Sequence, residues 1–211
     1  MVPVKVAIMT LFHNSTNYGG ILQAYALQKT IESLGFECVV LDYQRNINDI
    51  TQVTNSKIQR LIGKVTNIRS IGDIINIGFL PIRKYWARSY EAGIRTRKQK
   101  FSAFITNNMK VSEYFDNRTI HLTQNDYDVF ICGSDQIWRP TTFDPNFFLD
   151  FIDQDKQRIS YAASLGVNAL SKKEKDIFTP LVNKLDAISV REKSATPIIS
   201  DLTKKEVVSV L

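Results

Sequence analysis

The stretch Val4–Tyr43, "VKVAIMTLFHNSTNYGGILQAYALQKTIESLGFECVVLDY", decides the fold. Its first residues, Val4 to Leu11, are an apolar run, the pattern of a strand buried on both faces. From Ile21 the apolar residues Ile21, Ala24, Leu27, Ile31 and Leu34 recur at helical spacing, and Gly35 supplies a C-terminal stop. "FECVVLDY" then reads as a second strand. Strand, helix and strand within about forty residues make a right-handed βαβ unit with parallel strands.

Working outward, strand patterns return at "YDVFICGSDQIW", "RISYAAS", "AISV" and "VVSVL". Helical stretches lie between them. "SKKEKDIFTPLVNKL" opens on a capping box at Ser171 and Glu174, and "REKSATPIISDL" carries Pro197, which predicts a short or kinked helix. The alternation predicts an α/β fold: a Rossmann-like, doubly wound parallel sheet of about six strands. Residues 46–110 differ from the rest. Ile58, Ile62, Ile68 and Ile71 punctuate a segment with interleaved basic residues, and "IRKYWARSYEAGIRTRKQKFSAF" is strongly basic. This is read as a helical insert within a single lobe spanning residues 1–211.

Composition bounds the function. The 211 residues are 44% hydrophobic and 23% charged, enough for a substantial core. No apolar run reaches the ~18 residues of a membrane span, and the N-terminus lacks a signal-peptide pattern, so the chain reads as cytoplasmic. The net charge of +6 suits anionic small molecules, an anionic membrane surface or nucleic acid. No nucleic-acid-binding motif is present, and Tyr85, Trp86 and Tyr90 fall at helical spacing rather than on a sheet face, so nucleic acid is set aside. The basic insert, Lys57 to Lys100, leaves two readings: a solvated helix face, or peripheral contact with an anionic bilayer at the inner face of the membrane. Cys38 and Cys132 sit in apolar runs and read as buried, reduced thiols, against the sharper reading of Cys132 as a nucleophile paired with His13 or His121. The two His and two Cys have no zinc-site spacing.

In an open parallel sheet, ligands sit beyond the carboxyl ends of the strands. Three polar motifs occupy that position. "FHNSTNYGG" follows the first strand and contains His13, Asn17, Tyr18, Gly19 and Gly20; "GSDQIWR" contains Gly133, Ser134, Asp135 and Gln136; Arg191 and Glu192 follow "AISV". A glycine pair before a helix serves a tight turn or the approach of an anion to the helix N-terminus. Asp135 suits a helix cap or a general base, and Arg191 a surface ion pair or a phosphate or carboxylate seat. Parallel topology predicts that all three motifs converge on one rim.

Together, "NYGGILQAYALQ", "YDVFICGSDQIW", "SYAASLG" and "AISVREKSA" resemble the polysaccharide pyruvyl transferase family, and the resemblance covers essentially the whole chain. It implies the N-terminal lobe of a two-lobed architecture like that of GT-B glycosyltransferases. It implies transfer of an enolpyruvyl group from phosphoenolpyruvate to a sugar or lipid-linked oligosaccharide acceptor, closing a pyruvate ketal in cell-surface polysaccharide biosynthesis. Phosphoenolpyruvate would be the donor substrate, with no separate cofactor and no metal. By the same resemblance Asp135 is the acidic site residue and Arg191 a contact to the donor anion. Asn17, Gly19 and Gly20 form the helix-start loop, and Ser134 and Gln136 line the pocket; the neighbouring His13, Tyr18, Gly133 and Glu192 are counted as substrate-binding. The family's second lobe is not in this sequence, so the 211 residues are expected to show no pyruvyl transfer alone, and the bare strand at the end is open to homodimer pairing. Two other readings stand beside this one: a GT-B-type glycosyltransferase lobe using a nucleotide sugar, and a non-catalytic sugar- or membrane-binding module.

Overall fold

A computed structural model describes residues 3–15, 17–45, 95–153 and 155–210. The chain divides into a sheet unit, Met1–Ile50 with Asn108–Leu211, and a second unit, Thr51–Asn107. Of the second unit, residues 95–107 are described; they belong to the helix 95–108, here α2, in which the Arg97 guanidinium lies 5.6 Å from the Phe101 ring centre. Most of the predicted basic insert, including the isoleucine-rich part and the aromatics near Trp86, lies outside the described residues.

The sheet unit is an α/β fold whose seven strands are all parallel. In chain order they are β1 (Lys5–Met9), β2 (Glu37–Tyr43), β3 (Val111–Phe115), β4 (Val129–Gly133), β5 (Gln157–Ala163), β6 (Ala187–Val190) and β7 (Val207–Ser209). The helices of this unit are α1 (Tyr18–Ser33), α3 (Lys172–Val182) and α4 (Ala195–Ser200). In space the strands run β3-β2-β1-β4-β5-β6-β7. Because β1 sits between β2 and β4, its residues Val6 to Met9 are buried, which is why the sequence there is uninterrupted apolar. The chain winds one way from β1 to β3 and the other way from β4 to β7. Right-handed crossovers therefore put α1 and α3 on opposite faces.

α1 buries Gly20, Ile21, Ala24, Leu27, Gln28 and Ile31, one stripe at i, i+3 and i+4 spacing. It ends where the sequence predicts: Gly35 takes φ +91°, and the N–H groups of Gly35 and Phe36 return to the carbonyls of Glu32 and Ile31. Gln28 is the polar member of the buried stripe. Its amide nitrogen, Nε2, donates to the carbonyls of Cys38 (3.1 Å) and Lys110 (2.7 Å), and its Oε1 accepts the Lys110 N–H (3.1 Å). One side chain thus joins α1 to β2 and to the chain entering β3.

The sheet has one strand more than the sequence suggests. β3, "VSEYF", is an edge strand whose first four residues are partly or fully exposed, so it carries no apolar run to read. Between β4 and β5 there is no long helix. Two short 3-10 turns, Pro140–Thr142 and Pro145–Phe148, carry an aromatic cluster instead. Trp138 stacks on Phe148 at 4.9 Å, Phe148 meets the Phe178 ring of α3 edge-on at 5.0 Å, and the Trp138 indole N–H bonds the Phe147 carbonyl. This cluster anchors the loop that follows β4.

Candidate functional site

The strand order reverses between β1 and β4, so the loops leaving these two strands diverge and open a crevice at their carboxyl ends. Each of the three polar motifs leaves the sheet at this rim. "FHNSTNYGG" follows β1, "GSDQ" follows β4, and Arg191-Glu192 follows β6.

Asn17 caps α1: its backbone is extended and its Oδ1 accepts the Gly19 N–H at 3.0 Å. The remaining first-turn N–H groups of a helix have no acceptor within it and carry the positive end of its dipole. Gly20 brings this turn against the β4 loop. A methyl placed on Gly20 would lie 3.5 Å from Asp135 Oδ2, 3.6 Å from the Leu11 carbonyl and 3.7 Å from Ser15 Oγ. Tyr18, at the start of α1, is exposed.

Gly133 ends β4 at φ +137°, and its peptide bond to Ser134 is cis. Asp135 is then fixed through its own backbone. Its carbonyl accepts the N–H groups of Ser164 (3.0 Å) and Ile137 (2.7 Å), while its Oδ1 accepts the Gln136 N–H at 2.7 Å. Ile137 and Trp138, fully buried in the core, hold the loop from the far side. Gln136 projects against Gly166 in the loop after β5.

Arg191 reaches across from β6. Its Nη2 donates to the Ser134 carbonyl and lies 3.9 Å from Asp135 Oδ1, while its own N–H bonds the Ala163 carbonyl. The guanidinium thus stands on one side of the Asp135 carboxylate and the start of α1 on the other. Glu192 Oε1 accepts from Ser164 Oγ at 2.7 Å and is 3.4 Å from the Gly166 N–H. Three buried polar atoms have no hydrogen-bond partner among the described residues along this rim: Thr10 Oγ1, Gln23 Nε2 and Glu192 Oε2. Gln23 also faces the site, its Oε1 3.4 Å from Ser134 Oγ. Buried polar atoms are normally satisfied, so these three leave hydrogen-bonding capacity of both signs unused along the rim.

His13 stands apart from this group. Its Nδ1 bonds Asp42 Oδ1 at 2.8 Å, its Nε2 bonds the Asn14 amide at 2.7 Å, and its ring centre is 5.3 Å from that of Tyr114. The structure therefore brings Asn17, Gly19, Gly20, Ser134, Asp135 and Arg191 together, with Gln136 and Glu192 at the flank, and directs His13 towards β2 and β3. Asp42, Gln23 and Ser164 were not singled out from the sequence. A carboxylate near the carboxyl end of an otherwise apolar strand was the available signal for Asp42.

Neither cysteine is a nucleophile candidate. Both are buried free thiols; burial pushes Cys38 up to about 12 and Cys132 higher still, so neither forms the reactive thiolate. Among the described residues there is no cluster of His, Cys, Asp and Glu fit to hold a metal, and no helix long and apolar enough to cross a membrane. A family model described as polysaccharide pyruvyl transferase matches residues 17–210. No curated protein and no solved structure matches the chain.

Proposed function

The chain belongs to the polysaccharide pyruvyl transferase family, and on that premise we propose that the crevice between β1 and β4 handles phosphoenolpyruvate and a sugar. The observation that carries the reading is the meeting of the Arg191 guanidinium with the Ser134-Asp135 loop, opposite the N-terminus of α1. Phosphoenolpyruvate is small and highly charged. A fixed guanidinium and a helix N-terminus are the two features that bind such an anion without a metal. Asp135, held between them by its backbone, is the group to move a proton.

In this reaction a sugar hydroxyl bonds the phosphate-bearing carbon and the methylene carbon takes up a proton. A second hydroxyl on the same sugar adds as phosphate leaves, closing a cyclic ketal. The two protons lost by the hydroxyls are matched by one gained at the new methyl group and one carried off with phosphate.

Calorimetric titration with phosphoenolpyruvate tests the donor site. Arg191→Ala should weaken binding at least tenfold, since a charge-assisted hydrogen bond contributes about 1.5–3 kcal/mol. Equal affinity in the two proteins would overturn the assignment. Stabilisation by nucleotide sugars in place of phosphoenolpyruvate would point instead to a glycosyltransferase lobe.

A further inference from the structure

The loop between β1 and α1 has a second side. A cavity of about 230 Å³ opens there, at the carboxyl ends of β1 and β2, with Phe12, His13, Ser15, Gln44, Arg45 and Phe147 in its wall. It is smaller than the ~300–1,000 Å³ typical of drug-sized ligands and has the scale of one sugar ring. Its wall mixes aromatic carbon with hydrogen-bonding groups. That pairing suits a pyranose, which offers apolar C–H faces and a girdle of hydroxyls, better than it suits a wholly apolar ligand. Ser15 connects the cavity to the crevice: it lines the first and lies beside Gly20, which also neighbours Asp135 and the Leu11 carbonyl.

His13 is oriented as a base is oriented. Asn14 Nδ2 donates to its Nε2 at 2.7 Å, so Nε2 carries the lone pair and the ring proton is on Nδ1, donated to Asp42 Oδ1 at 2.8 Å. Asp42 is itself fixed within the sheet, where its backbone N–H bonds Ser112 Oγ at 2.9 Å. The Tyr114 ring backs the imidazole. Among the described residues Nε2 takes its hydrogen bond from Asn14, an exposed loop residue at φ +50°.

We propose that this cavity seats the acceptor sugar and that His13, positioned by Asp42, takes the proton from the hydroxyl that attacks first. The inference rests on the pyruvyl-transfer reading. The hydroxyl proton passes to His13 Nε2 as the oxygen–carbon bond forms, and His13 returns to its neutral form by releasing that proton to the products. The overall proton count is the one given above, with no oxidant or further reactant. Asn14 swings away as the sugar enters.

The chain contains two histidines, so ¹⁵N spectroscopy of the imidazoles reads His13 directly, with the exposed His121 as an internal reference. The probes are methyl glycosides of glucose, galactose and mannose and the corresponding N-acetylhexosamines. At least one should shift the His13 nitrogens saturably and leave His121 in place. The free protein should show the proton on Nδ1, and Asp42→Ala should move it to Nε2. His13→Gln, which leaves Asp42 in place, should weaken the responding sugar about tenfold by calorimetry, or ~1.4 kcal/mol. A His13 signal indifferent to every sugar, a tautomer unchanged in Asp42→Ala, or full sugar affinity in His13→Gln would each overturn the proposal. Intact phosphoenolpyruvate binding with a silent His13 sinks this inference alone. Sugar-dependent His13 shifts without phosphoenolpyruvate binding sink the transfer reading.

Discussion

Two glycines at the rim behave oppositely, and the difference lies in what surrounds each one. A side chain on Gly133 would put its Cβ 1.8 Å from the Tyr161 carbonyl oxygen, at a φ of +137° that other residues rarely adopt. β4 and β5 are adjacent strands, so neither can yield, and the turn that presents Asp135 requires glycine. Gly20 is different: a methyl there meets only ordinary contacts, the nearest being Asp135 Oδ2 at 3.5 Å. Gly20→Ala should hold or raise the urea midpoint, since alanine is up to ~1 kcal/mol better than glycine inside a helix. It should nonetheless weaken phosphoenolpyruvate binding, because the methyl covers the start of α1 beside the carboxylate. Calorimetry and urea denaturation on the same variant separate the two effects. The place of Asp135 and Arg191 at the rim was legible in the sequence because each lies just past an apolar strand. Asp42 was not. Within "VVLDY" it reads as the polar step of a strand, and its pairing with His13 depends on how β1 and β2 lie side by side.

Among the elements, α3 was the most fully written in the sequence. Its capping box forms as predicted: Ser171 Oγ accepts the Glu174 N–H at 3.3 Å and Glu174 Oε2 accepts the Ser171 N–H at 2.6 Å. Ser171→Ala should cost about 1 kcal/mol in chemical denaturation. Because the Ser171 side chain bonds Glu174 and none of the crevice residues, phosphoenolpyruvate affinity should not change. α4 is also as short as Pro197 implied, six residues with the proline in its first turn. The connection from β4 to β5 was hidden for a physical reason. Pro140 and Pro145 break any helical period, and the fold there is held by aromatic stacking between Trp138, Phe148 and Phe178 rather than by a repeating pattern. β3 escaped because an edge strand has little to bury.

For the whole molecule, the parallel α/β class was readable from alternation, whereas the strand order was not, since only the crossovers set it. The site depends on that order: placing β4 beside β1 is what brings Asp135 to Gly20. Stability should fall on the acid side. Glu32 is held below its ordinary value by hydrogen bonding to Lys29, with Lys110 adding to it; Asp116 by the Arg118 N–H and by Thr119; Asp201 by Lys175. A carboxylate with a lowered folded pKa stabilises fully at neutral pH and loses that contribution as pH falls through its folded value. Urea midpoints should therefore hold down to about pH 5 and decline below it. High salt should shrink the shares of Glu32 and Asp201, which are surface ion pairs, more than that of Asp116, which rests chiefly on hydrogen bonds to nearby backbone and hydroxyl. The Gln28 clasp has an architectural consequence. It fastens the returning chain at Lys110 with bonds that belong wholly to α1, β2 and the start of β3. The placement of β3 beside β2 is therefore held by contacts that lie within the sheet unit itself.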